Sequence, residues 1–253
     1  MQAHVVLAHP EARSFNTHLS KRSQSVLREE VYNTSCSDLY AMDFDPRDGA
    51  HQYTTGKDEA TFHAQAEQRH IADNGTLAEE AETEIGKLLS CDLLIVHFPL
   101  WWLGPPAILK GWMDRVFVYG RVYRSQMRYD AGKCNGKKMI ACVTTGANAG
   151  SCAFNGREGD TRLHLWPTLF AFRYLGFNVL DPAIFHGVGG VAFIDGEQDG
   201  LSTPDAYTRR WTDTLTSLGS RSSVSYNRDS EFGDDNRLHP GAPVHSPFIR
   251  QIP

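Results

Sequence analysis

Three short, almost unbroken apolar runs constrain this chain more than any other feature: AHVVLA at 3–8, CDLLIVHF at 91–98 and KMIACVT at 138–144. A strand with one face in water alternates apolar and polar residues. A strand covered on both faces reads as a continuous run, the mark of a parallel sheet. Between the runs lie segments of helical spacing. One spans about Thr17 to Glu30, and a second Leu77 to Ser90, with Leu77, Ala81, Ile85, Leu88 and Leu89 on one side. A third follows Pro105 and Pro106, residues suited to a first helical turn, and carries Ile108, Leu109, Trp112, Met113, Val116 and Phe117. Arg162–Leu175 and Thr203–Leu218 read as two more helices. Val31–Leu39 reads as a poorer second strand and Phe177–Phe185 as a fifth. Strands alternating with helices predict an α/β fold, a doubly wound five-stranded parallel sheet with helices on both faces.

The 253 residues suit one such domain. Residues 45–75 are polar and irregular and read as an excursion over the surface. From Gly219 onward the composition turns to Ser, Arg, Asp, Pro and His. The reading is therefore a domain over 1–218 and an extended C-terminal tail over 219–253 without a core of its own. A formal charge of −5 offers no electrostatic footprint for nucleic acid. No apolar run approaches the roughly 18 residues of a membrane span, and the start, MQAHVVLAHPEAR, lacks the features of a secretion signal. Cys36, Cys91, Cys134, Cys142 and Cys152 are scattered and odd in number. They read as reduced thiols of a cytoplasmic protein, and no spacing implies a metal site.

Ligands of an open parallel sheet bind beyond the carboxyl ends of its strands. Three loops leave such ends here, at 9–16, 99–105 and 144–160. Ser14 and Asn16 stand at the start of a helix, where backbone N–H groups favour a phosphate, although an ordinary helix cap needs the same residues. Trp101 and Trp102 could wall a flat ring or serve packing alone, and Thr144, Thr145 and Gly146 could meet that ring's polar edge. The sequence has no G-x-G-x-x-G and no G-x-x-x-x-G-K-[ST] motif, which argues against a Rossmann dinucleotide domain and a P-loop NTPase.

Together these loops resemble the NAD(P)H:quinone oxidoreductases, or DT-diaphorases, which have a flavodoxin-like fold. The stretches HPEARSFN, SDLYAMDFDP, FPLWWLGPPAILKGWMDRVFVYGRVY, KKMIACVTTG, GREGD and LWPTL carry the resemblance, which covers about residues 3 to 185 and weakly reaches 218. It implies a homodimer with FAD, or less readily FMN, in each subunit, and ping-pong hydride transfer from NADH or NADPH to a quinone or related planar acceptor. His9, Ser14, Phe15 and Asn16 would then hold the phosphate and ribityl side. Pro99, Leu100, Trp101, Trp102 and Leu103 would line the ring, and Thr144, Thr145, Gly146 and Ala147 would meet its other edge. Trp102 and Tyr123 would bound the pocket where donor and acceptor bind in turn, and His63 is among the positions that could meet an adenine. Where the family has a tyrosine and a histidine that stabilise developing negative charge, this chain has Cys152 and Glu158, and a second pocket tyrosine aligns with Ser125. By their own chemistry Cys152 reads as a small loop residue and Glu158 as a surface residue. A tailoring reductase of a biosynthetic pathway and an ancillary flavoprotein of a potassium-efflux system are the rival functions.

Overall fold

The computed structural model describes residues 1–53, 56–57, 61–188 and 204–252. Its strands are β1 (Gln2–Leu7), β2 (Asn33–Asp38), β3 (Leu93–Pro99), β4 (Lys138–Thr144), β5 (Asn178–Val179) and β6 (Ala183–Phe185). Every pairing is parallel, in the order β2-β1-β3-β4-β5, and β6 continues β5 alongside β4. The expected fifth strand is thus one path in two pieces. Pro182 lies at the break, where it has no N–H to give to a ladder.

Helices α1 (Phe15–Glu29), α2 (Ala64–Asn74), α3 (Glu79–Ser90), α4 (Ala107–Val116), α5 (Thr161–Tyr174) and α6 (Pro204–Thr216) complete the fold. Side chains alternate across each strand, so the central strands β1, β3 and β4 feed two cores. Val5, Ile95, Ile140 and Cys142 pack with Leu19 of α1 and Trp211 of α6. Val6, Val96, Phe98 and Ala141 pack with Ile85 of α3, Trp112 of α4 and Phe172 of α5. The doubly wound reading is therefore correct: α1 and α6 cover one face, α3, α4 and α5 the other.

Three expectations change. Helix α2 lies within the supposed surface excursion. Its polar sequence AQAEQRHIADN buries Glu67, Gln68 and Ile71 and ends on Gly75 at φ 67°, so little apolar periodicity betrays it. Pro105 and Pro106 precede α4 instead of entering it, and the Pro106 carbonyl accepts from Leu109 and Lys110. Strand β2 begins two residues late, because Val31 is left-handed (φ 65°) where α1 turns out. The start of the last helix, expected at Thr203, falls outside the described residues.

Each face also holds a buried histidine. Ser23 Oγ lies 2.9 Å from His97 Nε2 and accepts from Trp211 Nε1 (2.9 Å), tying β3, α1 and α6 together. On the other face Glu84 accepts from Ser37 (2.8 Å), Lys87 (2.6 Å) and Trp112 (2.9 Å), with His4 4.0 Å away. Burial alone would raise the Glu84 pKa, but these donors outweigh it and hold it below the usual carboxylate range.

The segment from 219 is irregular apart from a short turn at Asp229–Glu231. It lies against the sheet edge: Val224 N–H donates to Val179, and Asp181 N–H to Ser222 (both 2.8 Å). Further along, Phe248 stacks on Trp166 of α5 with centroids 4.8 Å apart.

Candidate functional site

The order β2-β1-β3-β4-β5 puts its reversal between β1 and β3, where a doubly wound sheet opens a crevice at its carboxyl edge. The loops after β1, β3 and β4 meet there. Ser14 caps α1 by accepting from Thr17 N–H (3.2 Å). Asn16, 3% exposed, donates from Nδ2 to Thr144 Oγ1 (2.8 Å) and so bolts the first loop to the third. Its Oδ1 is buried without a hydrogen-bond partner among the described residues. Of Phe15, only the backbone belongs to this loop; its side chain packs in the core against Phe185 and Tyr207. His9 tilts against Trp101 (centroids 5.9 Å) and joins the first loop to the second. Burial lowers its pKa, and its Nδ1 accepts from Glu11 N–H (3.1 Å).

The loop after β3 has two adjacent non-glycine residues in the left-handed region, which no other loop has among the described residues. Trp101 and Gly104 exchange both backbone hydrogen bonds (2.9 and 3.1 Å), closing a two-residue hairpin around Trp102 and Leu103. Both central residues are left-handed, at φ 50° and 63°. Such turns favour Asn and Gly, whereas bulky residues there carry strain of about 1–2 kcal/mol each. Trp102 is nonetheless 101% exposed and Leu103 52%, so neither gains full burial in return. Their N–H groups have no partner among the described residues. Strain of this kind collects at ligand sites. Pro99 is buried at the strand end, and Leu100 is fixed by its N–H to the Thr144 carbonyl (2.8 Å).

After β4, Thr145 Oγ1 donates to the Ala147 carbonyl (2.8 Å) and lies 2.9 Å from His186 Nδ1. With its hydroxyl proton so committed, Thr145 requires His186 to carry its proton on Nδ1. The N–H groups of Gly146 and Ala147 have no partner among the described residues, and successive free amides form an anion-accepting edge. His186 went unnoticed in the sequence, although it directly follows the fifth strand path, where the strand-end rule points. Cys152 is buried, with Sγ 3.8 Å from both Thr145 Oγ1 and the Ala147 carbonyl, so it packs the inside of this loop. Glu158 is exposed, and its backbone is held by Ser151 and His164. A Cβ on Gly156 would stand 2.2 Å from the Gly150 carbonyl, so the loop closes this tightly only with glycine.

Tyr123 is not brought to these loops within one chain. It packs against Tyr119 and Tyr174 (5.4 Å each) beside a groove of about 610 Å³ between α4 and α5. Ser125 and His63 are exposed and also stand apart from the crevice; His63 caps α2 by accepting from Ala66 N–H (3.3 Å). Among the described residues no cluster could hold a metal ion and no helix is long and apolar enough to cross a membrane.

A family model described as a flavodoxin-like fold matches residues 1–202. The chain is 37% identical over 190 residues to NAD(P)H dehydrogenase [quinone] 1 of Cavia porcellus, covering 74% of this chain and 69% of that protein. It belongs to the NAD(P)H:quinone oxidoreductase family. It is also 37% identical over 182 residues to human ribosyldihydronicotinamide dehydrogenase [quinone], covering 71% and 79% of the two chains. A putative quinone reductase from Klebsiella pneumoniae superposes with a TM-score of 0.84 at 26% identity, over 96% of this chain and 97% of that one. That match extends beyond the family segment into the tail.

Proposed function

We propose that the protein is a flavin-dependent NAD(P)H oxidoreductase that reduces quinones or related planar electrophiles by a ping-pong cycle. The observation that carries this reading is the strained Trp102–Leu103 hairpin, whose unpartnered amides stand with those of Gly146 and Ala147 at the switch point of the sheet. Two such rows of donors suit the heteroatom-rich edges of an isoalloxazine, and Asn16 Oδ1 is a buried acceptor left for a polar ligand group. Bound flavin supplies the acceptance and release of a hydride.

The chain's own residues do the rest. The α1 N-terminus with Ser14 and Asn16 would hold the phosphate, and Trp101, Trp102 and Leu103 would line the ring. The Thr145 hydroxyl, engaged by Ala147 and His186, would hold the 146–147 turn that offers its amides to the ring. FAD is favoured over FMN by the kinship with the quinone dehydrogenases. A homodimer would carry Tyr123 of each chain to the other's site, and the free cysteines suit a reducing cytoplasm.

Steady-state rates with NADH and menadione test this. The reading expects parallel double-reciprocal lines and a requirement for flavin. Converging lines, or turnover in flavin-free protein, would contradict it.

A further inference from the structure

A second groove, of about 890 Å³, lies between the loop at 125–131, helix α5 and the C-terminal tail. Its volume is that of a site for a drug-sized ligand. Three guanidinium groups line it, from Arg128, Arg237 and Arg250, against the single carboxylate of Asp229. This is a cationic groove on a chain whose formal charge is −5. Arg237 has Asp235 at 3.7 Å. Arg128 and Arg250 have no carboxylate within ion-pair distance among the described residues. Arg128 is nevertheless positioned: its guanidinium lies over Tyr129 (5.6 Å) and Tyr174 (5.8 Å) and donates to the Tyr174 hydroxyl (3.5 Å). Arg250 is steadied by its Nε on the Pro247 carbonyl (2.8 Å).

Four aromatic side chains, Tyr129, Phe170, Phe232 and Phe248, also line the groove, and ring contacts link Tyr129 through Tyr174 to Tyr123. Tyr123 touches Tyr174 (5.4 Å), Tyr174 touches Tyr129 (4.9 Å), and Tyr129 touches Phe170 (5.7 Å). Trp166 stacks on Phe170 (4.3 Å) and on Phe248 of the tail (4.8 Å). Phe170 lines both this groove and the one beside Tyr123. Flat aromatic walls select a planar ligand, and unpaired, pre-positioned guanidinium groups select a carboxylate, sulfonate or phosphate on it.

We propose that the oxidising substrate is an aromatic compound bearing an anionic substituent, with Arg128 and Arg250 of this groove as the anion's partners once the homodimer of the reading above carries the groove, with Tyr123, to the flavin of the other subunit. The proposal rests on the oxidoreductase reading above and narrows its acceptor class. It gives the tail a task, since Phe248 and Arg250 both come from it.

Calorimetric titration of the flavin-loaded protein with 1,4-naphthoquinone-2-sulfonate and with menadione tests it. The sulfonate should bind tenfold or more tightly than the neutral quinone, the range expected for a charge-assisted contact. Arg128→Gln with Arg250→Gln should reduce that preference about tenfold, and Arg128→Lys with Arg250→Lys should keep most of it. Equal affinities in the wild type, or a preference unchanged by the Gln pair, would overturn the proposal. Displacement of the sulfonate by ADP would assign the groove to a nucleotide and overturn it too. Bleaching of the flavin by NADH in the same samples reports on the oxidoreductase reading separately.

Discussion

Trp102→Asn separates strain held for function from ordinary packing. Trp102 is left-handed at φ 50° and 101% exposed, so the substitution removes no buried surface in this chain. Asparagine tolerates the left-handed region at a fraction of the roughly 1–2 kcal/mol that a bulky residue carries there. The ligand-free protein should therefore gain about 1 kcal/mol, a rise in Tm of roughly 2–4 °C for a domain of this size. Loss of an aromatic wall against a bound ring costs about 0.5–1.5 kcal/mol, hence a flavin affinity roughly two- to tenfold weaker. Thermal melts of flavin-free protein and fluorescence titration with FAD measure both effects. A variant that melts lower and binds flavin as the wild type does would refute the reasoning, because Trp102 would then be serving the fold.

Further outcomes follow from the same structure. Burial pushes His4 down to about 4 and His97 down to about 3. Their unfolded forms take up protons below about pH 6.5, so stability should fall from pH 6.5 towards 4, each histidine contributing about 1.4 kcal/mol per pH unit. Denaturant unfolding at pH 7 and pH 5 checks this; equal stabilities would contradict it, and His97→Gln should roughly halve the slope. Ending the chain at Gly219 removes the Val224–Val179 hydrogen bond and the Phe248 stack. It should lower stability by about 2–4 kcal/mol and expose the sheet edge to aggregation; a shortened chain of full stability by chemical denaturation would count against that. Glu158→His places a donor at the position that the resemblance aligns with a family histidine and should speed re-oxidation by menadione in stopped flow by tenfold or more, whereas an unchanged rate means that Glu158 lies away from the reacting atoms. Cys152→Tyr is a poorer test, since the buried thiol leaves no room for a ring and overpacking costs about 1–3 kcal/mol.

The core of the fold was legible because strands buried on both faces leave continuous apolar runs. Strand β4 falls on Lys138–Thr144 as read. Helix α2 was not legible: beside Ile71, its buried contacts come from Gln68, donating to the Asp114 carbonyl (3.4 Å), and Glu67, accepting from Lys57 N–H (2.6 Å), and polar contacts carry no hydrophobic period. At the site, strand-end loops were foreseeable from topology. Positive φ at Trp102 and Leu103 was not, because the sequence holds the residues least expected in such a turn. The tail's groove was also hidden, since Tyr129, Phe170 and Phe248 are far apart in sequence and meet only through packing.

The central claim is that flavin sits among the loops after β1, β3 and β4 and takes its electrons from a nicotinamide. Anaerobic mixing of FAD-loaded protein with NADH or NADPH, followed by the flavin's visible absorbance, tests it most directly. The account predicts complete bleaching by about one equivalent of donor, with the colour restored on adding menadione. A protein that takes up neither FAD nor FMN, or whose bound flavin stays coloured with both donors, would contradict it.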